Sequence, residues 1–256
     1  MTDTVAIIGC GPAGLLAAYA SERRGWEPVV FSASVRPSPD AKATFLHSSI
    51  PGLTSDRPDA HMKLAKVGTA GGYARKAYGD DRRSTSWERF QQGTIRAWDL
   101  APVYAELWRR YRGRVNLMIA GPGDARDLVD SYDLVINAAS APALCAKGHE
   151  FPRREIWVKD GAPAGVGINT MIYNGSRHYD WYRSSDVFGR RATEYGEEVE
   201  GADRGIKVKR TSCNCHPKIK RVGRWGRWMP GVLLDQAFAD ANRILYHARE
   251  GAHDVV

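Results

Sequence analysis

Three glycines stand in the run Val5-Ala6-Ile7-Ile8-Gly9-Cys10-Gly11-Pro12-Ala13-Gly14 at the spacing a dinucleotide pyrophosphate requires. Gly9 permits a tight turn after an apolar strand. Gly11 lets the backbone approach phosphate without a side chain between them, and Gly14 lets the following helix lie close on the strand. The run Leu15-Leu16-Ala17-Ala18-Tyr19-Ala20 starts that helix at once. Its free N–H groups and positive dipole end would face the diphosphate, with Pro12 and Ala13 in the turn itself.

A second apolar stretch, Pro28-Val29-Val30-Phe31, closes a βαβ unit of about 30 residues. The usual ribose partner after that strand is Asp or Glu. Ser32 stands there instead, a shorter and uncharged hydrogen-bonding group. Arg36 follows and could accept a 2′-phosphate, so these residues alone leave NADP open.

His47, His178 and His216 are candidates for proton transfer, because imidazole titrates near neutral pH. Arg183 is a candidate to hold an anionic substrate group, and Tyr179, Trp181 and Tyr182 beside it to wall a cavity. Cys213-Asn214-Cys215-His216 has the wrong internal spacing for zinc and no second Cys/His pair near it in sequence, so no metal is expected.

The chain has 256 residues, 43% hydrophobic and 26% charged, which suits one or two globular domains. No apolar run approaches membrane-spanning length, and Asp3 stands where a secretory leader would be basic. A cytoplasmic location with reduced thiols is expected, since Cys10, Cys145, Cys213 and Cys215 are too few for a disulfide scaffold. The formal charge of +8 sits partly in arginine–aromatic runs, Trp108-Arg109-Arg110-Tyr111-Arg112 and Arg221-Val222-Gly223-Arg224-Trp225-Gly226-Arg227-Trp228. Positive charge beside stacking surfaces keeps a nucleic-acid partner open next to a small-molecule substrate.

The elements that must position these residues follow from periodicity. Helical spacing covers Leu100 to Tyr111 and Val232 to His247, with a shorter helix over Asp127 to Tyr132. Strands are expected at Arg114–Ala120, Tyr132–Ala139 and Ile219–Val222, and a short one at Ala43–His47. Gly71–Gly79 reads as a loop or a short helix, and Glu155–Tyr195 as an antiparallel meander between turn signals. The expected fold class is α/β, a doubly wound Rossmann-like domain (1–40, 96–150 and 215–256) with an inserted antiparallel β substrate domain (41–95 and 151–214).

The run Gly9-Cys10-Gly11-Pro12-Ala13-Gly14 resembles the FAD fingerprint of glutathione-reductase-like flavoproteins. Tyr132–Ala139, ending in Ala138 and Ala139, resembles their second acidic-apolar strand. The tail from Val222 through Gly223, Arg224, Gly231 and Val232 resembles their closing FAD motif, most like the amine-oxidase and UDP-galactopyranose-mutase branch. The resemblance implies FAD as cofactor, with Gly223 and Arg224 meeting the diphosphate and the amides near Gly231 and Val232 facing the flavin ring. It implies an oxidoreductase acting on a C–N or C–O bond of a polar or anionic substrate. Small flavoproteins of bacteriophages, some resembling lyases on hypermodified thymidine, keep a modified base in phage DNA open as the substrate. A flavin-binding module and a non-redox mutase remain further alternatives.

Overall fold

The computed structural model describes residues 2–37, 45–79, 87, 92–163 and 165–250. Ala43 and Thr44, expected to open the strand before His47, lie outside them. The chain divides into two compact units. One comprises 1–41, 101–151 and 210–256, the other 42–100 and 152–209.

The first unit is a five-stranded parallel sheet with helices. Its elements are β1 (Thr4–Ile8), α1 (Pro12–Arg23) and β2 (Glu27–Ser32), then β6 (Val115–Leu117), β7 (Leu134–Asn137) and β13 (Lys220–Arg221), in the order β13-β7-β1-β2-β6. Val5, Ile7 and Ile8 are 0–2% exposed, as central parallel strands covered on both faces must be. Each such side chain stabilises the fold by about 1.5–3 kcal/mol. The chain runs outward from β1 through β2 to β6, then returns to the other side of β1 as β7. The strand order therefore reverses between β1 and β7, and crevices at such switch points are where open parallel sheets bind ligands.

Three further helices belong largely to this unit: α3 (Leu100–Tyr111), α4 (Pro122–Ser131) and α6 (Leu234–Glu250), with the short α5 (Gly223–Arg227) before the last. Helix α4 begins five residues earlier than its apolar spacing predicts. Pro122 needs no partner for its missing N–H at a first turn, and Asp124 accepts from Gly121 N at 2.8 Å. Helix α6 packs on α1, with Tyr19 and Phe238 stacked at 6.1 Å.

The second unit carries an eight-stranded sheet, mostly antiparallel, in the order β12-β8-β11-β10-β9-β4-β5-β3. These are β3 (Phe45–Leu46), β4 (Ala60–Gly68), β5 (Gly93–Asp99), β8 (Arg153–Asp160), β9 (Thr170–Gly175), β10 (Trp181–Val187), β11 (Arg190–Tyr195) and β12 (Asp203–Val208), with α2 (Ala70–Tyr78) between β4 and β5. The expected meander holds only for β9–β10–β11. Strand β8 pairs with β11 and β12 instead, and β4 joins β9 in parallel. Met62, Tyr73, Met171, Tyr173 and Tyr182 form the core.

That core contains charge. Arg183 lies opposite Glu194 across the β10–β11 pair and forms an ion pair with it, and Lys207 approaches the same carboxylate at 3.4 Å. The Lys207 ammonium also sits 4.1 Å from the centre of the Tyr182 ring. Burial opposes ionisation of Glu194, but Arg183 and Lys207 outweigh it and hold the carboxyl down at about 2. A carboxyl depressed in the folded state adds stability above its unfolded value, near 4.5, and loses it as pH falls from there toward 2. We expect Glu194→Gln to destabilise the chain by about 3–5 kcal/mol at pH 7, because two cations lose their buried partner. Urea midpoints measured between pH 7 and pH 3 should fall for the parent protein and stay nearly flat for the variant.

Candidate functional site

The glycine turn sits at the carboxyl end of β1. Gly9 has φ +107° and donates from its N to Phe31 O at 2.7 Å, which ties the turn to β2. At Gly14 the helix presses on the turn: a Cβ there would lie 1.8 Å from Gly9 O. Gly11 differs, since a Cβ there would meet nothing within 4 Å. It is the N-cap of α1, no side chain caps the helix, and Pro12 follows at the first position. The first amides of α1 beside it are the donors that a helix leaves for an anion.

The carboxyl end of β7 lies alongside. Ala138 N and Ala139 N both donate to Ile8 O at 2.9 Å. The tail motif closes on the same place. Val222 N donates to Asn137 O at 3.0 Å, and a Cβ on Gly223, whose φ is +69°, would come 2.7 Å from Ala13 Cβ. A Cβ on Gly226 would meet Asn137 O at 2.2 Å. The structure thus brings Gly9, Gly11, Pro12, Ala13, Gly14, Ala138 and Gly223 into one neighbourhood. Arg224 is exposed on the short helix that Gly223 opens.

Ser32 ends β2. Its Oγ accepts from the Cys10 thiol at 3.1 Å and from Ser34 N at 3.3 Å. A hydroxyl with its lone pairs so engaged keeps its proton to give. Asn137 was missed as a site residue. It is 1% exposed, its Oδ1 accepts from Ala139 N at 3.0 Å, and its Nδ2 has no hydrogen-bond partner among the described residues. A buried amide ending Leu134-Val135-Ile136-Asn137 was the available signal.

Gly231 and Val232 stand just before the last helix. The last helix begins at Leu234, after Gly231 turns the chain with φ +73°, and Leu233 N is taken by Gln236 Oε1 at 3.0 Å. A cleft of about 650 Å³ in this unit is lined by Thr2, Glu27, Pro28 and Arg114 at the other ends of β1 and β2, away from the glycine turn.

Of the expected catalytic residues, His47, His178 and Arg183 belong to the second unit, on separate elements, whereas His216 belongs to the first, half-buried in the turn where Ile219 N donates to its carbonyl at 3.2 Å. His47 follows β3 with its ring 4.6 Å from that of Phe45, and His178 is exposed in the β9–β10 turn. Lys76 holds this turn, with its Nζ donating to the carbonyls of Ser176 at 2.5 Å, Trp181 at 3.2 Å and Tyr179. Arg183 is not available as the expected anion holder, because Glu194 meets its charge. Arginines of the aromatic runs are also engaged: Arg109 by Glu106 at 2.7 Å, Arg110 by Glu22 at 2.5 Å and Arg227 by Asp240 at 2.7 Å.

No protein-family model and no curated protein matches the chain. Among solved structures, it is similar to reduced UDP-galactopyranose mutase, with a TM-score of 0.61 at 11% identity over 97% of this chain and 96% of that one. It is similar to a variant of HpxO from Klebsiella pneumoniae complexed with FAD, with a TM-score of 0.55 at 13% identity over 96% of this chain and 81% of that one. It is also similar to 2,6-dihydroxypyridine-3-hydroxylase from Arthrobacter nicotinovorans, with a TM-score of 0.50 at 13% identity over 99% and 84%. At these identities the likeness is one of fold, and the α/β class expected from the sequence is the class observed.

The two glycines on either side of Pro12 and Ala13 should be destabilised to very different extents by a methyl group. Gly14→Ala should cost more than about 4 kcal/mol, the range of severe packing clashes. Gly11→Ala should cost about 1 kcal/mol or less, the difference between Gly and Ala at an N-cap. Urea denaturation of both variants reads this directly, and equal losses would contradict it.

Proposed function

We propose that the chain is an FAD-dependent oxidoreductase acting on a C–N or C–O bond of a polar substrate. The observation that carries this reading is the meeting of three sequence-distant segments at one switch point: the Gly9–Gly14 turn, the end of β7, and Gly223 against Ala13. The residues fit an extended dinucleotide. Among the described residues, Gly11 offers backbone with open space beside it, α1 offers amides that no side chain caps, and Asn137 Nδ2 is a buried donor without a partner. In this reading Gly9, Gly11, Pro12, Ala13 and Gly14 hold the diphosphate, and Arg224 adds a guanidinium fork suited to phosphate. Ser32 donates a hydrogen bond from its hydroxyl to a ribose oxygen, where other chains would place a carboxylate.

FAD, when bound, supplies the two-electron acceptor, so no side chain has to change oxidation state. The chain's own part is to bind, orient and exclude water. The similarity to HpxO, solved with FAD, supports the cofactor assignment. A second reading, rearrangement without net oxidation, has one support in the near-complete mutual coverage with UDP-galactopyranose mutase. Consumption of an electron acceptor during turnover separates the two.

Mass spectrometry of the ligand released on denaturation tests the cofactor. We expect FAD, and a yellow protein absorbing near about 450 nm that bleaches on reduction. A released NADP, or a colourless chain that takes up no added FAD, would overturn the reading. Gly11→Val should lower FAD affinity about tenfold or more, 1.4 kcal/mol or above, by filling the open space while the fold persists.

A further inference from the structure

Cys213-Asn214-Cys215-His216 has no second Cys/His pair near it in sequence. The fold supplies that pair from far along the chain. Cys145 and His149 follow β7, and the four donor atoms of Cys145, His149, Cys213 and Cys215 all lie within 4.8 Å of one another. Cys145 Sγ is 3.4 Å from His149 Nδ1 and 3.8 Å from Cys215 Sγ, and Cys215 Sγ is 3.4 Å from the same nitrogen.

Those lengths are the edges of one small polyhedron. Zn–S bonds near 2.3 Å and Zn–N bonds near 2.0–2.1 Å, at tetrahedral angles, separate ligand atoms by roughly 3.5–3.8 Å. A disulfide needs sulfurs about 2.05 Å apart, and all four cysteines are free thiols. Ligands of an iron–sulfur cluster must reach around several atoms, whereas these donors surround space for one ion. We infer that Cys145, His149, Cys213 and Cys215 bind a single zinc ion in a closed, structural Cys₃His site. This site is independent of the proposed flavin chemistry.

Local structure supports the assignment. The turn from Cys145 to His149 is closed by the His149 amide, which donates to Cys145 Sγ at 3.4 Å, and amides aimed at ligand sulfurs orient them toward a metal. Gly148, with φ +63°, lets the turn bring His149 back. Cys213 is buried, Cys145 and Cys215 half-buried, and His149 exposed, which leaves a path for the ion to enter. With four protein ligands no position stays open for water or substrate, so the role is structural.

The position explains what such an ion does. The segment 152–209 leaves the first unit after Phe151 and returns at Arg210. His149 stands just before the departure and Cys213 just after the return. Thr211 Oγ1 donates to Glu150 O at 3.0 Å between them. One ion there closes the whole excursion into a loop and removes entropy from the unfolded chain, as a long-range cross-link does.

The test is metal analysis of the full chain, expressed in zinc-supplemented medium and purified under reducing conditions. We expect about one zinc per chain, as a closed four-ligand site requires. The double variant Cys145→Ser/Cys215→Ser should retain less than about a tenth of that. Should that variant fail to fold, cobalt substitution of the parent protein reads the site by itself: the intense visible bands of tetrahedral thiolate-bound Co²⁺ are expected. A zinc-free parent protein that yields no such bands after reconstitution overturns the inference. So does zinc retained in full by a folded double variant.

Discussion

No atom beyond hydrogen fits on the Cα of Gly14, because the carbonyl oxygen of Gly9 already occupies that space. The same contact fixes where the first helix starts, how tightly it lies on β1, and where its unsatisfied amides stand. A methyl group would force helix and strand apart and displace the end of β7, whose Ala138 Cβ is 3.5 Å from the same point. Gly223 then seats on Ala13, the residue immediately before Gly14, so the tail motif inherits its position from this contact. The candidate site is therefore a consequence of backbone packing before it is a matter of side-chain chemistry.

Much of the first unit was legible because its signals are local. Val5–Ile8, the glycine turn and the long helices each declare themselves within a dozen residues. Strands β4 and β5 did not. Strand β4 alternates only briefly: Met62 and Leu64 on either side of Lys63 are buried, but Lys66 then stands where the next apolar residue would, its Nζ satisfied by the Trp87 carbonyl at 2.5 Å. Arg183 looked like a binding group because its counter-ion lies on another strand. Register alone makes Arg183 and Glu194 partners, and spacing along the chain carries no trace of it. Cys145 and His149 were invisible as partners of Cys213 and Cys215 for the same reason. Asn137 was legible in principle, as an amide at the end of an apolar run, but only the structure shows which of its atoms is left over.

Charge in this chain is organised differently from what composition suggests. The excess of +8 invites a polyanion, yet Glu22 alone accepts Arg110, Arg114 and the Tyr111 hydroxyl, the last at 2.8 Å. Such pairs at half-exposed positions contribute little stability each, about 0–1 kcal/mol. Their effect is to orient long side chains along helix α3 and quench its local field. The group of Arg183, Lys207 and the buried Glu194 acts on another scale, since removing the carboxylate leaves two cations without their partner beside the buried Tyr182.

The order in which these pieces leave the ribosome follows from the interleaved connectivity. By the time residue 209 emerges, every strand of the second unit has been synthesised, while the first still lacks β13 and the helix that covers α1. Until Phe238 arrives to lie on Tyr19, the most apolar helix of the protein has an uncovered face. The nascent chain thus completes its mostly antiparallel unit first and its parallel sheet last.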